Sequence, residues 1–252
     1  EGGDGADTIY AGADNDTITG GIGNDTIEGG DGLDTAIFAG NKDDFTFAVA
    51  SDGTLTITDT GTGNTLGVDT VSGVETLRFD DGDLTVNTTA DGDVTLTGTD
   101  SDNDVITLTG AGGATLDGVG GDDVLIGGDG ADVIDGNLGN DDIDGGAGND
   151  TITGFDGADT IDGNLGDDDI DGGKGNDTLT GSEGNDTLKG ADGDDTFIAG
   201  AVGGEGDDDI NGGVGIDLAD YSDVTADLDV NLTAGTVSSS DTGWDTITGV
   251  EN

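Results

Sequence analysis

A nine-residue repeat runs through residues 109–198 of this 252-residue chain without an insertion. The fourth position of every unit is Gly, the sixth is Asp in nine of the ten units, and the eighth is a large apolar residue. A fixed short period predicts a solenoid in which each unit stacks on its neighbours. Nine residues are too few for a pair of helices, and each Gly disfavours helix by about 1 kcal/mol relative to Ala. The repeat therefore predicts an all-β fold, a parallel β-roll.

Each unit divides into a six-residue Gly-rich turn and a three-residue strand. Because side chains alternate along a strand, the eighth residue faces inward while the seventh and ninth face solvent. Two units make one coil with a turn on each edge. Turns stacked on the same edge are thus 18 residues apart, as Asp132 and Asp150 are.

This stacking places carboxylates above one another along both edges. Two unit charges at about 4–5 Å repel by several kcal/mol near a protein surface. The chain cannot neutralise them itself, with four basic residues against 58 acidic ones and a net charge of −54. Ca²⁺ can, because it accepts six to eight carboxylate and carbonyl oxygens in a tolerant geometry. We therefore expect bound Ca²⁺, and without it an acidic, disordered chain.

The sixth-position carboxylates are the candidate metal ligands. A shorter array at residues 2–37, two further units at residues 203–220 and the main array supply them. They are Asp7, Asp16, Asp25, Asp34, Asp123, Asp132, Asp141, Asp150, Asp159, Asp168, Asp177, Asp186, Asp195, Asp208 and Asp217. Ala114 stands at the sixth position of the first main unit, which is typical of a terminal repeat.

The units GGDGADVID and GGAGNDTIT resemble the RTX, or haemolysin-type, calcium-binding repeat of secreted bacterial proteins. The resemblance implies a calcium-stabilised β-roll with one ion between each pair of turns stacked on one edge, or about ten Ca²⁺ ions for the two arrays. It also implies that carbonyl groups share the ion with the two carboxylates. One such site would combine Asp132, Gly128 and Gly130 with Asp150, Gly145 and Ala147.

Five segments follow from the pattern. We assign residues 1–37 to a short roll, 38–98 to a β-rich flank, 99–198 to the main roll, 199–220 to two further repeats after a loop, and 221–252 to a second β-rich flank. Alternating stretches in the first flank predict short antiparallel strands, joined by turns at Asp52-Gly53, Asp81-Gly82 and Asp91-Gly92. The segment 67–75 recurs as 243–251, which predicts two copies of an array followed by a flank, with the segment packed against the end of a roll.

Composition and motifs exclude several functions. The chain has no Cys and no His, so disulfides, most zinc sites and the usual base of a Ser nucleophile are missing. No catalytic motif occurs, and we expect no enzyme activity in this chain. The acidic charge argues against nucleic acid and anionic membranes as partners. The sequence begins inside a repeat, so we expect it to be a piece of a longer protein.

Three functions fit this pattern. The first is a calcium-folded structural segment of an extracellular bacterial surface protein, such as an adhesin or surface-layer protein, which self-associates or binds cell-surface polysaccharide. The second is a calcium-binding secretion and folding module of a larger secreted protease, lipase or polysaccharide epimerase. The third is an ice- or polysaccharide-binding face built from Thr at position seven, which Asp142 and Asp169 interrupt. The resemblance implies type I secretion, and all three functions place the chain outside the cell or at its surface.

Overall fold

The structure is a computed structural model that describes residues 1–50, 54–61, 66–88, 93–99, 103–110, 112–198, 206–222, 224–225, 227–231, 235–239 and 243–250. These residues form strands and turns, with one short 3-10 helix at Lys42–Asp44. The predicted all-β fold with parallel rolls is confirmed. The turns predicted at Asp52-Gly53 and Asp91-Gly92 lie outside the described residues.

The first roll contains six strands, and its strands pair in parallel at a spacing of one coil. Thr8 aligns with Thr26 in one sheet, and Thr17 aligns with Thr35 in the other. The strands are β1 (Gly3–Asp4), β2 (Thr8–Ala13), β3 (Thr17–Ile18), β4 (Gly21–Ile22), β5 (Thr26–Asp31) and β6 (Thr35–Ile37).

The first flank consists of two three-stranded antiparallel meanders, one in each sheet. The strands are β7 (Phe45–Val49), β8 (Leu55–Asp59), β9 (Val68–Ser72), β10 (Thr76–Phe79), β11 (Gly82–Thr88) and β12 (Val94–Thr97). The antiparallel pairs β7–β8, β8–β9, β10–β11 and β11–β12 confirm the predicted strand type. The β10–β11 turn is formed by Asp80 and Asp81, since Gly82 already pairs with Phe79.

The meanders join the two rolls. Strand β9 pairs in parallel with β5, and β10 pairs in parallel with β6. Two reversals within each meander then restore the original strand direction. As a result β12 pairs in parallel with the main roll, and Phe47 at the other meander forms a parallel bridge with Leu108.

The main roll has two facing sheets whose strands alternate along the chain. They are β13 (Val105–Thr107), β14 (Thr115–Asp117), β15 (Val124–Ile126), β16 (Val133–Leu138), β17 (Asp142–Asp144), β18 (Thr151–Asp156), β19 (Thr160–Asp162), β20 (Asp169–Lys174), β21 (Thr178–Thr180), β22 (Thr187–Asp192), β23 (Thr196–Ile198), β24 (Asp209–Val214) and β25 (Leu218–Asp220). Even-numbered strands form one sheet and odd-numbered strands the other. Ile134 therefore aligns with Ile152, 18 residues later.

The two units after residue 198 continue the main roll. Strand β24 pairs in parallel with β22, and β25 pairs in parallel with β23. A third meander of β26 (Asp229–Asn231), β27 (Thr236–Ser239) and β28 (Gly243–Thr248) follows, and β28 pairs in parallel with β24. The arrangement β7–β8–β9 on β5 is thus repeated as β26–β27–β28 on β24.

The core is a single column of apolar side chains between the sheets. The eighth-position residues are all buried, as the alternation predicts: Leu116, Leu125, Ile134, Ile143, Ile152, Ile161, Ile170, Leu179, Leu188 and Phe197. In the first flank Phe38, Phe45, Phe47 and Phe79 pack together with ring centroids 5.1–6.1 Å apart. The column holds the Gly-rich turns at fixed positions along both edges. No helix in the described part of the chain is long and apolar enough to span a membrane.

Candidate metal centres

The sixth-position aspartates form a hydrogen-bonded ladder along each edge of the main roll. The backbone N–H of Asp132 donates to Asp150 Oδ1 at 2.8 Å, and the N–H of Asp150 donates to Asp168 Oδ1 at 2.8 Å. The opposite edge repeats this from Asp123 to Asp141 at 2.8 Å and from Asp141 to Asp159 at 2.9 Å. Each carboxylate is thereby held in one orientation by the preceding coil.

In thirteen of the array aspartates the second carboxylate oxygen is buried and has no hydrogen-bond partner. These buried Oδ2 atoms belong to Asp7, Asp16, Asp25, Asp34, Asp123, Asp132, Asp141, Asp150, Asp159, Asp168, Asp177, Asp186 and Asp195. A buried polar group without a partner has lost its hydrogen bonds to water, and no hydrogen bond within the protein replaces them. A regular series of such atoms indicates positions at which a bound cation would interact with the unpaired oxygens.

The orphaned oxygens face carbonyl oxygens of the next coil. A methyl group built on Gly145 would lie 2.7 Å from Asp150 Oδ2 and 2.9 Å from Gly163 O. A methyl group on Gly2 would likewise lie 2.7 Å from Asp7 Oδ2 and 2.5 Å from Gly20 O. A side chain on either glycine would fill this space, and the converging oxygens are the ligand type that Ca²⁺ takes. The residues present therefore fit calcium.

Carboxylates alone do not make up these sites. No group of three or more Asp, Glu, His or Cys side chains gathers as a metal cluster in the described ranges. Each candidate centre would instead combine two stacked aspartates with backbone carbonyls, and the Gly-rich turn would supply part of the donor set.

The model of the RTX calcium-binding nonapeptide repeat matches residues 1–36, 108–143, 117–152, 135–170, 171–201 and 202–219, which together exceed half of the chain. The chain belongs to the RTX calcium-binding repeat family. It is therefore a calcium-binding structural module whose repeats bind calcium, and RTX repeats are typical of secreted proteins.

Other comparisons add little to this assignment. No curated protein matches the chain. A crystal structure of the extracellular lipase LipA from Serratia marcescens is similar, with 17% identity and a TM-score of 0.23. The match covers 98% of this chain and 37% of the lipase chain, so this RTX chain spans little more than a third of that structure.

Burial raises the pKa of the nine main-roll ladder carboxyls from Asp123 to Asp195. The pKa of Asp123, Asp159 and Asp168 rises to about 7, mainly through desolvation and further through neighbouring carboxylates. The pKa of Asp132 and Asp177 rises to about 6 for the same reasons. The hydrogen bond from the preceding backbone N–H opposes each rise without cancelling it. Desolvation thus disfavours the ionised form of these main-roll carboxyls, and a bound cation would favour it.

The backbone atoms predicted as ligands fall into two groups. Gly145 O lies close to Asp132 Oδ2, because both meet the space above Gly127. In contrast, Gly128 O accepts the Ala147 N–H at 2.6 Å, so it is already used by the next coil. A carbonyl oxygen has two lone pairs, so that bond leaves one acceptor position on Gly128 O. The oxygens of Gly130 and Ala147 remain predicted ligands.

The outer predicted carboxylates join the same ladders. Asp7 N donates to Asp25 Oδ1 and Asp16 N donates to Asp34 Oδ1, both at 2.8 Å. At the other end, Asp186 N and Asp195 N donate at 2.9 Å to the Oδ1 atoms of Asp208 and Asp217 respectively, across 22 residues rather than 18. The structure therefore brings all fifteen predicted aspartates into edge ladders.

Four ladder residues lie outside the nonapeptide arrays and were missed by the repeat pattern: Asp69, Glu75, Asp104 and Asp245. Asp25 N donates to Asp69 Oδ1 at 2.7 Å, and Asp104 N donates to Asp123 Oδ1 at 2.8 Å. The recurrence of Gly-x-Asp-Thr in residues 67–70 and 243–246 was the available signal for Asp69 and Asp245.

A second, exposed ladder runs through the fifth positions of the turns. Asn140 N donates to Asp122 Oδ1 at 2.8 Å, and Ala158 N donates to Asn140 Oδ1 at 2.9 Å. Asn15 and Asn24 accept backbone N–H groups in the same way in the first roll. Frequent Asn or Asp at this position was visible in sequence. These hydrogen bonds link successive turns separately from the inner aspartates.

Proposed function

We propose that this chain is a calcium-folded structural segment of an extracellular bacterial surface protein. The observation that carries the proposal is the series of buried Asp Oδ2 atoms without hydrogen-bond partners along both edges of both rolls. Twelve of these thirteen atoms lie beside a first-position Gly that has no side chain, and each such position is a candidate calcium site; beside Asp16 the first position is Ala11. About ten ions, one for each pair of stacked array turns, would serve the two arrays.

Calcium, when bound, supplies positive charge between stacked carboxylates. The residues of the chain do the rest: the ladder hydrogen bonds orient each carboxylate, the first-position Gly keeps the cradle open, and the apolar column excludes water from the inner side. A ligand that binds only the folded state stabilises it by RT ln(1 + [L]/Kd), about 2.7 kcal/mol per site at 100 times Kd. Several sites filled together therefore convert an acidic coil into a roll.

This coupling gives a folding switch between compartments. Where free calcium is scarce, the chain with its net charge of −54 stays extended and passes easily through a secretion channel. In millimolar calcium outside the cell it folds. Type I secretion, as the RTX repeat suggests, fits this sequence of events.

Continuity of the sheets supports a structural role at the cell surface. One fourteen-stranded sheet runs from β3 through the first flank and the main roll to β26. Such a rod can hold other parts of a protein at a fixed distance from the cell. The other function that fits, a folding module of a larger secreted enzyme, needs a catalytic segment elsewhere on the same polypeptide.

Circular dichroism during a calcium titration from EDTA, with magnesium as control, tests the folding switch. We expect a cooperative change from coil to β signal near millimolar calcium and no such change with magnesium. A β-rich spectrum in EDTA at neutral pH would overturn the proposal. Light scattering on the same samples then measures self-association.

Cell fractionation tests the surface role. With an antibody against this chain, cells grown in calcium should retain the protein at their surface and release it on treatment with EDTA. Recovery from the medium on a polypeptide that also carries hydrolase activity would instead establish the secreted-enzyme function.

A further inference from the structure

The segment between β9 and β10 forms one extra coil on top of the first roll. We call residues 67–79 the closing coil. Its strand β9 lies on β5 and its strand β10 lies on β6, in the same parallel register as the repeats below. The closing coil has no GGxGxD turn, yet it takes the position that a further repeat would occupy.

Both carboxylate ladders of the first roll end on side chains of the closing coil. Asp25 N donates to Asp69 Oδ1 at 2.7 Å on one edge. On the other edge Asp34 N donates to Glu75 Oε2 at 2.8 Å. Glu75 thus takes the place that a sixth-position Asp takes in the repeats.

We propose that Asp34, Gly73 and Glu75 form a terminal calcium site that lies partly outside the repeat array. Asp34 is fully buried, and its Oδ2 atom has no hydrogen-bond partner. A methyl group built on Gly29 would lie 2.6 Å from Asp34 Oδ2 and would overlap Gly73 O. The orphaned carboxylate oxygen and the carbonyl oxygen therefore face the same point, and the Glu75 carboxylate is fixed nearby by the hydrogen bond that it accepts from the Asp34 N–H.

The arrangement matches the centres within the repeats. Around Gly145, Asp150 Oδ2 and Gly163 O face one point, and Asp150 N donates to Asp168 Oδ1. Asp34, Gly73 and Glu75 stand in the same relation around Gly29. The proposed site differs from them only in the residue that supplies the second carboxylate and in its distance along the chain from the carbonyl.

That difference is a shorter turn with a longer side chain. In a repeat the acidic ligand follows the carbonyl by five residues, as Asp168 follows Gly163. In the closing coil Glu75 follows Gly73 by two residues. Glu carries one more methylene than Asp, so its carboxylate reaches the ladder from a turn that lacks the repeat conformation.

The second copy of the segment repeats part of this geometry at the end of the main roll. A methyl group on Gly212 would lie 2.5 Å from Asp217 Oδ2 and would overlap Gly249 O. Gly249 corresponds to Gly73, and Asp245 accepts the Asp208 N–H as Asp69 accepts that of Asp25. The same motif therefore closes both rolls, and its function is to complete the last calcium site rather than only to cover apolar residues.

This inference rests on the proposed calcium-dependent folding, and counting ions separates the two. The full chain carrying Glu75→Gln retains an oxygen for the Asp34 N–H but loses the charge. The matched control is Glu183→Gln, which removes the charge from an exposed Glu in a main-roll turn. Native mass spectrometry counts bound Ca²⁺, and isothermal titration measures affinity on chains that show the same circular dichroism at saturating calcium.

We expect Glu75→Gln to bind one ion fewer than the wild type, or to bind one ion at least about 10-fold more weakly. Glu183→Gln should match the wild type in number and affinity. An unchanged number and affinity in Glu75→Gln would overturn the terminal site while leaving the repeat sites intact. A wild-type chain that binds no calcium would overturn the proposed function itself.

A second variant covers the case in which Glu75→Gln does not fold. Glu75→Asp keeps the carboxylate but moves it back by one methylene. Loss or weakening of one ion in this variant supports the site, and binding of every ion at wild-type affinity contradicts it.

Discussion

Lys42 Nζ lies 2.5 Å from Asp104 Oδ1, and both side chains are buried. Asp104 begins one edge ladder of the main roll, and its Oδ2 accepts the Thr99 N–H at 2.7 Å. Lys42 comes from the 3-10 helix of the first flank. The ladder therefore starts on an ammonium group that the chain provides, in place of a metal ion, and this ion pair ties the flank to the main roll.

Replacement of Lys42 by Met should strongly destabilise the calcium-bound fold. Removing one partner of a buried ion pair leaves an uncompensated charge and costs about 3–5 kcal/mol. Urea unfolding at saturating calcium measures this loss. Lys189→Met is the control, since the Lys189–Asp171 pair is exposed and should contribute about 1 kcal/mol or less. Equal losses in the two variants would show that the buried pair has no special role.

Asp150→Asn should stabilise the metal-free roll and weaken the calcium-bound one. The Asn Oδ1 can still accept the Asp132 N–H, and its amide N–H can donate to Gly163 O, where two oxygens now face each other. The variant also loses a charge from the centres on both sides. We expect the calcium midpoint of folding to rise by a factor of about 10, while Asp142→Asn at the exposed seventh position stays at the wild-type midpoint. A lower midpoint in Asp150→Asn would contradict this assignment.

In EDTA, acid should favour the folded state. The pKa of Asp123, Asp159 and Asp168 is about 7 in the fold against an ordinary value of 3.8. The folded chain thus holds more protons than the unfolded chain between these values, so stability falls as pH rises from about 4 through 7. Circular dichroism in EDTA at pH 5 and pH 8 should show more β signal at pH 5. Protons compete with the cation, so the calcium midpoint should rise over the same drop in pH.

The apolar column can be tested at its centre. Ile152→Ala removes a side chain that is 1% exposed and should cost about 2–5 kcal/mol through lost burial and a cavity. Leu138→Ala is the control, because Leu138 is 59% exposed and its loss should change stability by about 0.5 kcal/mol or less. Unfolding by urea in calcium distinguishes the two. A similar loss of unfolding free energy in the two variants would mean that the column is loosely packed.

Sequence periodicity predicted the rolls because each unit repeats the same physical requirement. The apolar residue at position eight must face inward, so the alignment of Ile134 with Ile152 was predictable. Turns on the same edge are 18 residues apart, so the contact of Asp132 with Asp150 was predictable too. The closing coil could not be placed in the same way. Glu75 lies outside the nine-residue register and is a Glu rather than an Asp, so the repeat pattern does not identify it as a ladder residue.

Long-range partners also escaped the pattern. Lys42 and Asp104 are 62 residues apart and belong to segments without a shared period. Their contact depends on how the meanders fold back on the rolls, which single-sequence alternation does not specify. The turn predicted at Asp81-Gly82 shifted by one residue to Asp80 and Asp81, because Gly82 pairs with Phe79 as the first residue of β11.

The odd number of strands in each meander has a mechanical consequence. Since two reversals return the chain to its original direction, β6 and β14 are joined through β10, β11 and β12 within one hydrogen-bonded sheet. Tension applied at the two ends is then borne by backbone hydrogen bonds across the junction rather than by a slack connector. The two rolls should therefore bend and extend together, and should yield first by peeling of an outermost coil rather than by parting in the middle.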